Sequence, residues 1–102
     1  MQSISVNGIE FSFDSECGRN RVVYIQTNDK RFRTPEGIGV GVSLANALKL
    51  KGSRLLKDDY DSCGVVLRSG WIARPNLSPG GECFNHLDAP IAYFGSKYIG
   101  PN

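Results

Sequence analysis

Ile4 and Val6 alternate with polar neighbours, and Ile9, Phe11 and Phe13 do the same beyond Asn7-Gly8. Alternation at period two gathers one set of side chains on one face of a strand. Asn-Gly suits a two-residue hairpin turn, because both turn positions need positive φ. Residues 3–6 and 9–13 are therefore expected to form a hairpin with one buried face. After a polar turn around Gly18, residues 21–27 carry Val22, Val23, Tyr24 and Ile25 in one unbroken run. Such a run predicts a central strand covered, at least in part, on both sides.

Residues 28–41 are irregular, basic at Lys30, Arg31 and Arg33 and glycine-rich at Gly37, Gly39 and Gly41. Ser43 then offers a hydroxyl acceptor to the first turn of a helix. Leu44, Ala47, Leu48 and the Lys51 stem follow at helical spacing, and Gly52 is placed as a left-handed C′ residue. One short helix is expected, over about 43–51. Residues 53–62 read as an excursion anchored by Leu55 and Leu56. Strands are expected at 64–68 and 71–74 around a tight Ser69-Gly70 turn, the second ended by Pro75. A long loop covers 76–88, and 90–94 is the last strand. The sum is an α+β fold: a mainly antiparallel sheet of five to six strands with the helix on one face. With no repeat and no linker-like stretch, residues 1–102 read as a single domain.

Composition narrows the class. A chain 40% apolar and 22% charged is built to fold rather than to stay disordered. No run approaches the roughly 20 apolar residues of a membrane-spanning helix, so no membrane insertion is expected. A net charge of +2 creates no strong pull toward nucleic acid. Arg19, Arg21, Lys30, Arg31 and Arg33, interleaved with Tyr24 and Phe32, have the look of a polyanion surface. Glu10, Asp14, Glu16 and Asp29 share that third of the chain and largely cancel it. Charge that keeps sheet edges from aggregating is the plainer reading.

Candidate chemistry is sparse. Gly37-Ile38-Gly39-Val40-Gly41 leads to Ser43, and backbone N–H groups at Gly39, Gly41 and Ser43 suit an anion. The spacing matches neither dinucleotide nor phosphate-loop fingerprints, and a turn delivering the chain onto the helix explains it equally simply. Cys83-x-x-His86 has ligand-like spacing, but Cys17 and Cys63 bring no neighbouring ligand, so no metal or other cofactor is expected. His86 with Cys83, or with a serine and Asp88, lacks an evident third orienting group, so no catalytic residue is assigned. Three cysteines allow one bridge, with Cys63–Cys83 preferred for its short loop; three reduced thiols stand as the equal alternative. Aromatic residues concentrate in the second half of the chain. Trp71, Tyr93 and Tyr98 are the candidate anchors for a protein partner, with Arg31 and Arg33 at the rim. The same aromatic surface also suits internal packing or an oligomer contact.

The run from Lys30 to Leu44, continuing through Ala47-Leu48, resembles a turn-and-helix motif of small exported or lipoprotein domains of unknown function in bacteria. Its Thr34-x-x-Gly37-Ile38-x-Val40-Gly41-x-Ser43-Leu44 core carries the likeness, and Cys63 to Trp71 fits it loosely. In outline the motif is similar to the helix-on-sheet units of beta-lactamase-inhibitor-like proteins. It departs at Leu50-Lys51-Gly52, where an aromatic residue is expected before the glycine. The resemblance covers about residues 21–50 and implies a periplasmic or secreted, non-catalytic module that binds another protein, as an inhibitor or immunity protein does. It supplies no active-site residues. The start Met1-Gln2-Ser3 shows no export signal, which fits either a processed exported chain with an added methionine or a cytoplasmic protein.

Overall fold

The structure, a computed structural model, describes residues 2–15, 22–56, 64–76 and 87–96. The chain opens with β1 (Gln2–Val6) and β2 (Ile9–Ser15). Asn7 and Gly8, at φ 52° and 80°, make the tight turn between them, and Val6 faces Ile9 across it. Next come β3 (Val22–Thr27), α1 (Leu44–Leu48) and β4 (Arg54–Leu55). β5 (Val65–Val66), β6 (Ile72–Pro75) and β7 (Ile91–Gly95) complete the order. All pairings are antiparallel, in one sheet ordered β1-β2-β3-β7-β6-β5-β4. The last strand in sequence thus sits at the centre and joins β1–β3 to β4–β6.

The α+β expectation stands in outline, but the sheet has seven strands rather than five to six. The strand that sequence patterning missed is β4, inside the stretch expected to be an excursion. It pairs only Arg54 with Val66 and Leu55 with Val65, extended by Leu56 N–H donating to the Gly64 carbonyl at 2.9 Å. Two residues are too few to display an alternation. The helix is also shorter than expected. Ser43 caps it, its Oγ accepting from Asn46 N–H at 3.2 Å, but Lys49 ends it. Leu50 and Ser53 N–H then turn back to the carbonyls of Ala47 and Leu50. Gly52, at φ +83°, serves that last turn rather than the C′ position.

Register divides the sheet into two faces. Leu55, Val65, Ala73, Phe94 and Thr27 lie across from one another in sequence along one face. Over them lie α1, which buries Leu44 and Ala47, and the segment 32–42, which contributes Phe32 and Ile38 to the same core. Fully buried side chains such as Phe94 and Leu44 each contribute about 1.5–3 kcal/mol through removal from water. The covering segment is fastened by its backbone. Gly41 N–H donates to Ile91 O at 2.9 Å, Ile91 N–H to Val42 O at 2.8 Å, and Leu44 N–H to Ala89 O at 3.0 Å. Buried Thr34 closes a tight loop by donating its N–H to Ile38 O and accepting from Ile38 N–H and Gly37 N–H. The opposite face carries Asp14, Tyr24, Tyr93 and Arg74, which fall on successive strands by the same register.

Candidate functional site

Trp71 and Tyr93, two of the residues expected to form a partner surface, lie on opposite faces of the sheet. Trp71 is half-buried, its ring 5.0 Å from that of Phe32 and steeply tilted to it. Phe32 also meets Phe11 at 5.7 Å and Phe94 at 5.5 Å, so Trp71 completes an aromatic cluster at the core's rim. Tyr93 lies on the other face, opposite Arg74. There Tyr24 presses its hydroxyl end against Gly95, leaving no room for a side chain at that glycine. Burial pushes the Tyr24 phenol above its ordinary value, a shift opposed by Arg74 and reinforced by Tyr93 and Asp14. Tyr98 lies outside the described residues, as do Cys17, Cys63, Cys83 and His86, and with them the Cys63–Cys83 pairing.

Both arginines are engaged within the chain. The Arg31 guanidinium meets Asp29 side by side, Nε to Oδ1 at 3.1 Å and Nη2 to Oδ2 at 2.8 Å. Arg31 N–H adds a third bond to Asp29, and Glu10 N–H a fourth from β2. Arg31's hydrogen bonds therefore hold the Asp29 carboxyl well below the usual carboxylate range. Arg33 lays its guanidinium over the α-carbon of Gly39 and donates to the carbonyls of Lys30 and Phe32 at 2.7 and 2.9 Å. A side chain at position 39 would meet that guanidinium and displace it. Arg31 keeps its side chain 67% exposed and so still faces solvent from its pair.

Of the amides considered for an anion, that of Gly41 is bonded elsewhere, as are those of the neighbouring Val42, Ala45 and Asn46. Gly41 N–H goes to Ile91 O, Val42 N–H to Gly39 O, Ala45 N–H to Leu87 O and Asn46 N–H to the Ser43 hydroxyl. Gly39 itself is buried under Arg33. The turn at Gly39, Gly41 and Ser43 thus works as a seam between the covering segment and β7. A second tether joins this layer to the β5–β6 turn: Glu36 accepts from Ser69 N–H at 2.7 Å and from its hydroxyl at 2.9 Å. Burial raises the Glu36 carboxyl, but the hydrogen bonds from Ser69, its own backbone and Thr34 together outweigh it and leave the group below its ordinary value.

What sequence reasoning missed lies at the N-terminal hairpin. Every residue of β1 is exposed, with Ile4 at 49% and Val6 at 48% the large apolar side chains left open among the described residues. They share a face with Ile9, Phe11 and Phe13, of which Ile9 and Phe11 pack against the core. The hairpin's apolar face is therefore covered at its β2 side and open at β1. Alternation identified that face correctly; it carried no information about where the covering layer stops. β1 is also an edge of the sheet, unpaired on its outer side among the described residues. Natural edges are usually guarded by charge, proline, a bulge or shortness. β4, the opposite edge, is two residues long and bears exposed Arg54. β1 is five residues long, its pairing with β2 is regular, and no charged residue or proline occurs from Gln2 to Ile9.

Two further features frame the hairpin. Glu10, Ser12, Gln26, Thr27 and Asn28 line an open polar hollow of about 270 Å³ beside β2 and β3. Among the described residues no three His, Cys, Asp or Glu side chains gather as a metal site, and no helix is long and apolar enough to cross a membrane. Comparison of the chain with protein-family models, curated proteins and solved structures finds no match.

Proposed function

We propose that this chain is a non-catalytic protein-binding module that works through β1, its exposed edge strand, and the open apolar strip of Ile4 and Val6. The observation that carries this reading is the combination of an edge unguarded among the described residues with nearly half-exposed aliphatic side chains on it. Such an edge offers a row of free backbone groups, and a strand added alongside gains main-chain hydrogen bonds together with side-chain contacts. Of the aromatic residues first considered as anchors, Trp71 packs on Phe32 and Tyr93 lies across from Arg74 on the other face, so neither is on the β1 edge. Its more specific form, an exported inhibitor or immunity protein, is supported by the resemblance of residues 30–48 to exported bacterial domains.

A photo-reactive residue at Val6, introduced in the cell of origin, tests the reading. Irradiation is expected to join the chain to one predominant protein, and the same residue at Arg54 on the opposite edge is expected to join it to none. Absence of any adduct at Val6 would remove β1 as a binding surface.

A further inference from the structure

We infer, resting on that reading, that the strand received by β1 is the β1 of a second copy, paired antiparallel about a two-fold axis at Ile4. The direction of the free backbone groups carries the first step. Glu10 sits opposite Ser5 in the hairpin. Its N–H donates to Asp29 and its carbonyl accepts from the Thr27 hydroxyl, both away from β1. Glu10 and Ser5 are therefore a non-hydrogen-bonded pair, and the Ser5 N–H and C=O point outward from the sheet. Ser3, two residues earlier, points the same way, while Ile4 is turned inward toward Phe11.

An antiparallel copy centred on Ile4 satisfies this edge. Ser3 of one chain faces Ser5 of the other, and the pair exchanges its N–H and C=O bonds; the symmetry-related pair does the same. Ile4 then faces its own copy as a non-hydrogen-bonded pair, with α-carbons about 4.5 Å apart and side chains in close contact. Gln2 faces Val6. Hydroxyl meets hydroxyl at Ser3 and Ser5 and aliphatic meets aliphatic at Ile4, and every contact occurs twice about the axis, as an isologous interface requires. The chemistry selects a second copy because the strand is free of charge. Self-pairing sets a charge at the axis directly against its like and brings other like charges of the edge close to one another, and from Gln2 to Ile9 there is none to repel. A two-fold axis normal to the sheet also brings both open Ile4–Val6 strips to the same side, where they join. One short strand per copy makes a small contact, so the dimer is weak and concentration-dependent.

Sedimentation of the whole chain over a wide range of concentrations tests this. The wild type is expected to move from the mass of one chain toward that of two. Ile4→Lys and Ile4→Glu, changes at an exposed position, are each expected to weaken association at least tenfold by placing like charges across the axis. Mixed in equal amounts, they are expected to recover a heterodimer. Ser5→Pro, which removes an outward N–H and no hairpin bond, is expected to weaken association with the fold retained by circular dichroism. A wild type that stays monomeric, single-charge variants that associate normally, or a mixture that does not recover would each overturn the inference. If the wild type is monomeric but Val6 cross-links to a different protein, self-pairing fails and the binding reading survives; if Val6 cross-links to nothing, both fail.

Discussion

The two halves of the sheet use the same alternating pattern and end in different states. In β4 to β7, the inward face meets α1 and the segment 32–42, and Val65, Ala73 and Phe94 are fully buried. In β1 and β2, alternation is just as regular, yet the cover stops at Phe11 and leaves Ile4 and Val6 about half exposed. The edges differ in the same sense. β4 is short and carries Arg54, whereas β1 is longer, regular and neutral. Apolar alternation shows which side chains share a face; whether that face is internal depends on a second layer from elsewhere in the chain. A half-covered sheet buries its apolar side chains in the covered half and leaves them partly exposed in the other.

The strongest way to break this contrast is to truncate one apolar residue in each half. Phe94→Ala is expected to cost about 3–5 kcal/mol, a large share of a domain's stability. Val6→Ala is expected to cost less than about 0.5 kcal/mol, because its site is open. Urea unfolding of both variants measures the two effects, and comparable losses would show that the halves are not different in kind. Gly95→Ala sharpens the picture on the opposite face. Its new methyl group would collide with the Tyr24 hydroxyl, and overpacking of this sort costs about 1–3 kcal/mol. Tyr24→Phe in the same chain is expected to recover part of that loss in thermal unfolding.

A smaller effect is expected in the covering layer itself. Ser43→Ala removes the acceptor for Asn46 N–H and should lower stability by about 1 kcal/mol, read from the shift in urea midpoint. The smallest concerns the latch that ties the covering segment to β2. The Asp29 carboxyl is depressed in the fold, so its contribution is complete above the unfolded value of 3.8 and is lost as pH falls through the lower folded value. Protection of the Glu10 and Arg31 amides is therefore expected to hold from pH 7 to pH 5, intrinsic exchange allowed for. Asp29→Asn should reduce that protection already at pH 7 with little change in overall stability. Amide exchange followed by nuclear magnetic resonance checks both.

Local chemistry made much of the fold legible. Asn7-Gly8 announced the hairpin because few other residue pairs accept positive φ twice in succession. Ser43 announced the helix start, and the spacing of Leu44 and Ala47 its buried face. β4 escaped because a two-residue ladder has no periodicity. The bonds of the two arginines were not legible because a guanidinium looks the same in sequence whether it faces a partner or its own chain. Nothing in the spacing of Arg33 and Gly39 says that one lies over the other, or that Asp29 gathers Arg31 and the β2 backbone. Likewise Trp71 reads as an exposed anchor until Phe32 is found against it.

The sequence by itself determined the class of structure, the N-terminal hairpin, the helix cap and the composition of the apolar face, since each follows from backbone preference or from periodicity within a few residues. Only the tertiary structure decided that β7 is central, that Arg31 and Arg33 bond to groups of their own chain and that β1 is an open edge among the described residues. Those outcomes depend on which distant segments meet, and a contact between residues far apart in the chain leaves no local pattern at either end.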